Sequence, residues 1–190
     1  IAKLSSSGEL LWFRYIGGGG IGASYFALSL TATLDGNLII GGDAMNSPVN
    51  MIDGSTAILP FAAGDDRASL AVKIDPAGNL LWFSYLGGGG AGSPYTNIGV
   101  MSLSDGSVVL NGTATAGVNT IGGISAILPC TSSNINGLLW KLDPDGQLQW
   151  FTYLGGGTGY YNLMDVRRAA DGGILTGGTA QNGTPVMGFI

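Results

Sequence analysis

Few side chains in this 190-residue sequence can carry chemistry: there are twelve Asp and Glu, seven Lys and Arg, a single Cys and no His. Without His, a Ser-His or Cys-His nucleophile cannot be assembled. Twelve acids would be enough for the paired carboxylates that cleave glycosidic bonds, yet no pair stands apart from the turn motifs. Those turns, Asp75-Pro-Ala-Gly78 and Asp143-Pro-Asp-Gly146, offer one or two carboxylates where a calcium ion takes about six to eight oxygens. Ser5-Ser6-Ser7-Gly8 stands at the same place with none, so the motif reads as a structural turn and no metal is expected. The glycine runs at 17–20, 87–90 and 155–157 have backbone amides that could cradle an anion. No Lys-Ser/Thr and no helix follows them, so neither a P-loop nor a dinucleotide fingerprint is satisfied.

Cys130, being alone, excludes an intrachain disulfide and a Cys-based metal site and reads as a small buried hydrophobe in a loop. Lys3, Lys73 and Lys141 recur at equivalent positions, which implies a structural role with the stem packed on Trp and the ammonium reaching water or an Asp. No catalytic residue and no cofactor are assigned, and the chain is not expected to be an enzyme. The remaining candidates for ligand contact are the tyrosines that follow the glycine runs, Tyr25, Tyr95, Tyr160 and Tyr161, as stacking platforms for a sugar.

The elements that position these residues come from a repeat. Ile1-Ala-Lys-Leu-Ser-Ser-Ser-Gly-Glu-Leu-Leu-Trp-Phe-Arg-Tyr-Ile16 returns as Ala71-Val-Lys-Ile-Asp-Pro-Ala-Gly-Asn-Leu-Leu-Trp-Phe-Ser-Tyr-Leu86, and again from Leu139 to Leu154. Trp12, Trp82 and Trp150 keep the register, and the Trp-Phe pairs read as core between repeats. A second segment follows each glycine run and carries Asp35-Gly36, Asp105-Gly106 or Asp171-Gly172 between apolar and β-branched residues, a strong hairpin signal. Each unit therefore holds two hairpins, with repeat units at 1–70, 71–138 and 139–190.

From Gly42 to Leu70 there are 28 positions and from Gly112 to Leu138 there are 26, but from Gly178 to Met187 only 9. The long versions share Ala57-Ile-Leu-Pro60 and Ala126-Ile-Leu-Pro129, so the insertion is itself repeated and is expected to pack as an ordered loop. The glycine runs and an apolar spacing near two argue against helix throughout.

Four short antiparallel strands per repeat describe a propeller blade. The elements Ala2-Lys3-Leu4, Val72-Lys73-Ile74 and Trp140-Lys141-Leu142, with Tyr85-Leu86-Gly87-Gly88 and Tyr153-Leu154-Gly155-Gly156, resemble the bacterial seven-bladed β-propeller repeat family (SBBP-type). That resemblance covers about two thirds of the sequence and implies an all-β fold of tandem four-stranded antiparallel blades of a β-propeller. A threefold β-trefoil or β-prism, also built from three four-stranded units, is the alternative.

Propellers have about four to eight blades, and only three repeats are present. Met187-Gly188-Phe189-Ile190 ends in the repeat phase in which Ile1 begins, so the expectation is a longer chain or an assembly of copies.

A net charge of −5 with scattered basic residues argues against nucleic acid, which needs clustered Lys and Arg. No apolar stretch approaches the length of a spanning helix, so no transmembrane segment is expected. The reading is a non-enzymatic bacterial structural protein, secreted or on the cell surface, mediating adhesion or self-assembly. Its partners are itself, adjacent repeats of a longer chain, or surface glycans or proteins, and the alternative is a carbohydrate-binding lectin.

Overall fold

The computed structural model describes residues 1–19, 21–46 and 48–182. Gly20 of the first glycine run and the Met187–Ile190 alignment lie outside the described residues. Among the described residues there are strands and turns and no helix, as the glycine runs and the period-two spacing require.

Six hairpin turns share one construction. The N–H of Gly8, Gly36, Gly78, Gly106, Gly146 and Gly172 donates to the carbonyl three residues earlier, at 3.0–3.1 Å. Each of these glycines has φ between 78° and 89°, the left-handed conformation that a type I turn with a glycine bulge requires. Asp75 tightens its turn with Oδ1, which accepts from the N–H of Ala77 and Asn79 at 2.9 and 2.8 Å. Ser5 does part of the same work, its Oγ accepting from Glu9 N–H at 3.1 Å, which is how a Ser-rich turn replaces an Asp-Pro turn.

The turns join β1 (Ala2–Leu4) to β2 (Leu10–Phe13), and β3 (Ser24–Ala32) to β4 (Leu38–Met45). Two short strands, β5 (Met51–Ile52) and β6 (Ser55–Thr56), occupy the first insertion, before β7 (Arg67–Ile74) and β8 (Leu80–Leu86). The pattern repeats with β9 (Tyr95–Ser102), β10 (Val108–Thr115), β11 (Thr120–Ile121), β12 (Ile124–Ser125), β13 (Ile135–Leu142) and β14 (Leu148–Leu154). A last hairpin pairs β15 (Tyr160–Arg168) with β16 (Ile174–Gln181).

Strand order is β3-β4-β7-β8 in one antiparallel sheet and β14-β13-β10-β9 in the next. The sheets are thus out of phase with the repeat units 1–70, 71–138 and 139–190: each joins the second hairpin of one unit to the first hairpin of the following one. Sequence similarity shows the period but not which half-period shares hydrogen bonds. The interior strand β4 is buried along Ile39–Ala44 because both its faces are covered, which explains a continuous apolar and small-residue run rather than strict alternation.

Successive sheets lie face to face. The first strand of the second sheet, β9, packs on β3, β4 and β7, and β15 packs in the same way on β9, β10 and β13. Between the two four-stranded sheets Trp82, Ile39 and Ala71 meet Leu110, Trp140 and Leu142 in one core. A second core on the other face of the first sheet gathers Ile40, Val72 and Phe83 with Trp12 of the β1-β2 hairpin.

The repeated Lys and Trp stand opposite one another across the hairpin, Lys3 to Trp12, Lys73 to Trp82 and Lys141 to Trp150. They act as a latch on the next turn. Trp12 Nε1 and Lys3 Nζ both donate to the Pro76 carbonyl, at 3.0 and 3.3 Å, and Trp82 Nε1 and Lys73 Nζ donate to the Pro144 carbonyl, at 3.0 and 3.2 Å. Lys73 Nζ also donates to Asp35 Oδ2 at 3.3 Å. Asp35 is lowered to about 2, first by the Thr33 hydroxyl it accepts from, with Lys73 adding to the effect.

Both insertions fold alike. Ile58 N–H donates to Phe83 O and Tyr85 N–H to Leu59 O, each at 3.0 Å, and Ile127, Phe151, Tyr153 and Leu128 repeat the pair at 3.0 and 3.1 Å. The Ala-Ile-Leu-Pro segments therefore lie along the outer strands β8 and β14, covering edges that would otherwise present free backbone groups. Asn50 holds its loop shut through Phe61, Oδ1 accepting from N–H at 2.6 Å and Nδ2 donating to O at 3.3 Å. Asn119 does the same to Cys130, at 2.6 and 3.2 Å. Cys130 is half-buried and also donates Sγ–H to Ser132 O at 3.2 Å.

Candidate functional site

The four tyrosines offered as stacking platforms do not form a common surface. Tyr25, Tyr95 and Tyr161 occupy one repeat position, opposite Ala44, Ala114 and Ala180 on the neighbouring strand, while Tyr160 stands one residue earlier. Tyr95 is fully buried, which corrects its assignment as a sugar platform, because a ring with no exposed face cannot stack on a ligand. Its hydroxyl lies 3.1 Å from the Tyr153 hydroxyl and accepts from Val118 N–H at 2.7 Å, and Tyr153 donates to Val118 O at 2.7 Å. Tyr25 and Tyr85 bracket Val49 in the same way, Tyr25 accepting from its N–H and Tyr85 donating to its O, both at 2.8 Å. Half-buried Tyr161 lies over Gly155 as Tyr25 lies over Gly17. Of the four, Tyr160 presents the most ring to solvent, 40% exposed.

The tyrosine pairs are thus clips that fasten each insertion by the backbone N–H and C=O of one residue. Tyr85 and Tyr153 were visible in the Trp-Phe-x-Tyr motif, and the peptide they grip carried a signal too, the repeated dipeptides Val49-Asn50 and Val118-Asn119. Burial raises the phenols of Tyr85, Tyr95 and Tyr153, and holds those of Tyr85 and Tyr153 well above their ordinary range. A phenol whose folded pKa exceeds its unfolded value stabilises the fold fully below about pH 10, and that contribution is lost as the pH rises further. Phenolate absorbance from these three tyrosines is therefore expected to appear together with the loss of β circular dichroism above about pH 10. Their complete ionisation in a chain that stays folded would contradict the clips.

Three of the carboxylates join distant parts of the fold. Asp43 is fully buried, ion-paired with Arg67, and accepts from Asn97 N–H at 2.6 Å, joining the two four-stranded sheets. Burial raises its carboxyl despite that pairing. Asp65 and Asp66 tether the glycine-run loop, accepting from Gly90 and Gly92 N–H at 3.0 and 2.6 Å, and burial raises Asp65 as well. Among the described residues no three His, Cys, Asp or Glu side chains gather to hold a metal. No helix among them is long and apolar enough to cross a membrane.

What remains unaccounted for is apolar surface at the two ends of the sheet succession. On β3, Phe26, Leu28 and Leu30 are 43%, 51% and 65% exposed, and Leu4, Leu10, Leu11 and Phe13 of β1-β2 are exposed beside them. Ile1, Ala2 and Trp12 line a groove with Leu30 and Leu38 between that hairpin and the first sheet. At the opposite end Met164 and Leu175 of β15-β16 are 57% and 59% exposed. No family model matches this chain, and no curated protein matches it.

Proposed function

We propose that this chain is a non-enzymatic β-propeller module that works by adhesion or self-assembly outside the cell or at its surface. The observation that carries the reading is exposed apolar strand surface, with Phe26, Leu28 and Leu30 of β3 43%, 51% and 65% exposed. Consecutive antiparallel strands in each sheet, and sheets laid one on the next, support blades over the threefold trefoil or prism. The resemblance of the Ala-Lys-Leu and Tyr-Leu-Gly-Gly elements to bacterial propeller repeats points the same way. Carboxylates committed to turns, tethers and an ion pair support a structural rather than a catalytic role.

Light scattering on the 190-residue chain tests this. The expected result is a concentration-dependent series of species at multiples of 19.2 kDa. A monodisperse folded monomer across the concentration range would overturn it and favour the closed threefold alternative.

A further inference from the structure

We propose that the interface between the two four-stranded sheets is a hydration site, in which bound water joins Asn97 to Ser29, Ser69 and the Asp43–Arg67 ion pair. Ser29 lies on β3, Asp43 on β4, Arg67 and Ser69 on β7, and Asn97 on β9 of the facing sheet. Asp43, Ser69 and Asn97 are completely buried. The backbone N–H of Asn97 donates to Asp43 Oδ1 at 2.6 Å, which brings the facing strand onto the ion pair. Ser69 pairs with Asp43 across the β4-β7 ladder, and Ser29 pairs with Gly41 across β3-β4. A Cβ on Gly41 would lie 2.8 Å from Asn97 Nδ2 and 3.0 Å from Ser29 Oγ, so the amide and the hydroxyl converge on the same glycine. Among the described residues, Asn97 Nδ2 and Oδ1, Ser29 Oγ, Ser69 Oγ and Arg67 Nε are buried without a hydrogen-bond partner. Protein interiors satisfy such atoms with other protein groups or with ordered water.

Charge and hydrogen-bonding capacity select the ligand. Asp43 and Arg67 neutralise each other, so neither a cation nor an anion meets a net opposite charge. Arg67 Nε and Asn97 Nδ2 donate, Asn97 Oδ1 accepts, and the two serine hydroxyls do either. A neutral molecule that both donates and accepts, and is small enough for a buried interface, is water. The next interface of the same molecule shows that the repeat itself does not demand this cluster. By strand register, Gly99, Thr113, Ile135 and Gly137 are the counterparts of Ser29, Asp43, Arg67 and Ser69, and Leu163 is the counterpart of Asn97. There Leu163 packs on Gly137, whose Cβ would lie 2.7 Å from Leu163 Cγ, and the Thr113 hydroxyl is satisfied by Thr96 at 2.6 Å. Asn111, which replaces Gly41 there, is the single side chain of that group without a partner among the described residues. Polar character at the first interface is therefore a property of that interface, set by residues changing together.

A crystal structure of the full chain, at a resolution that shows ordered water, is the direct test. Water within about 3.2 Å of the Asn97 side chain and of Ser29 or Ser69 is the expected result. An Asn97 amide bonded only to protein groups would overturn the proposal, as would an ion ringed by oxygens at about 2.3–2.6 Å. Asn97→Leu, which installs the residue of the next interface, gives a second readout in solution. The variant should lose about one long-lived water per chain in water-oxygen magnetic relaxation dispersion. Its denaturation midpoint should fall, because the serines and Arg67 lose the molecule that satisfied them. An unchanged number of long-lived waters with a raised midpoint would mean that leucine simply removes two unsatisfied amide groups, and the proposal fails. If the leucine variant does not fold, the density beside Asn97 in the wild-type crystal decides between the same two results.

Discussion

Trp82→Ala is expected to lower stability by about 3–5 kcal/mol in denaturant melts. The indole is 8% exposed and lies in the core between the two four-stranded sheets, against Ile39 and Leu142. Its removal leaves a cavity that backbone on both sides cannot close, and it withdraws the donor from the Pro144 carbonyl at 3.0 Å. Loss of the latch alone accounts for about 1 kcal/mol; the remainder is burial and cavity. Trp12→Ala provides the comparison, because Trp12 makes the same bond to Pro76 but is only half-buried beside the exposed β1-β2 hairpin. Its loss should be clearly smaller. A loss below about 1 kcal/mol at Trp82 would mean that its side chain contributes surface rather than core.

The contrast between these two tryptophans shows how much of the fold the amino-acid sequence discloses. The Lys-Trp register, the six turn glycines and the β-strands on either side of them were legible because local chemistry dictates them: positive φ at Gly36 or Gly78 does not depend on what packs nearby. The phase of the sheets was not legible. Hairpins 24–45 and 67–86 share hydrogen bonds across the 21 residues 46–66, and hairpins 2–13 and 24–45, nearer in sequence, do not. That choice is made by long-range pairing, to which a repeat is blind. It also determines where Lys73 and Trp82 point, so equivalent residues in three repeats occupy an end hairpin and then two successive four-stranded sheets.

The tyrosines illustrate the same limit from the side of function. An aromatic residue after a glycine-rich bend is compatible with a sugar platform or with a core clip, and the residue itself is identical in both cases. Tyr95 became a clip because β9 packs on the preceding sheet and Tyr153 on β14 presents a hydroxyl to it. Tyr160, one position out of phase, keeps a solvent-facing ring. A one-residue displacement along a strand exchanges the two faces, so a platform and a clip differ by less than a motif can specify.

Gly112→Ala is expected to cost at least about 4 kcal/mol, the range reserved for a disrupted core. The position is not left-handed, so conformational freedom is not the reason for the glycine. Strand β9 carries a bulge at this level, where Asn97 pairs with Gly112 and Gly99 with Asn111, leaving Ile98 as the extra residue. The bulge pushes the Thr96 carbonyl toward β10, and a Cβ on Gly112 would overlap that oxygen and the Asn97 backbone. Backbone atoms cannot rotate aside as a side chain does, so the strain must be relieved by breaking the β9-β10 ladder. The same bulge recurs in β3 and β15, and Cβ atoms on Gly42 and Gly178 would overlap the Phe26 and Asn162 carbonyls. Gly8→Ala isolates the other use of glycine: φ is 87° with open space around the position, so only the left-handed conformation is penalised, by about 1 kcal/mol. Chemical denaturation of the two variants in parallel should separate them by about 3 kcal/mol. Equal losses would mean that the bulge yields to a methyl group and that Gly112 is not what holds the strands at this distance.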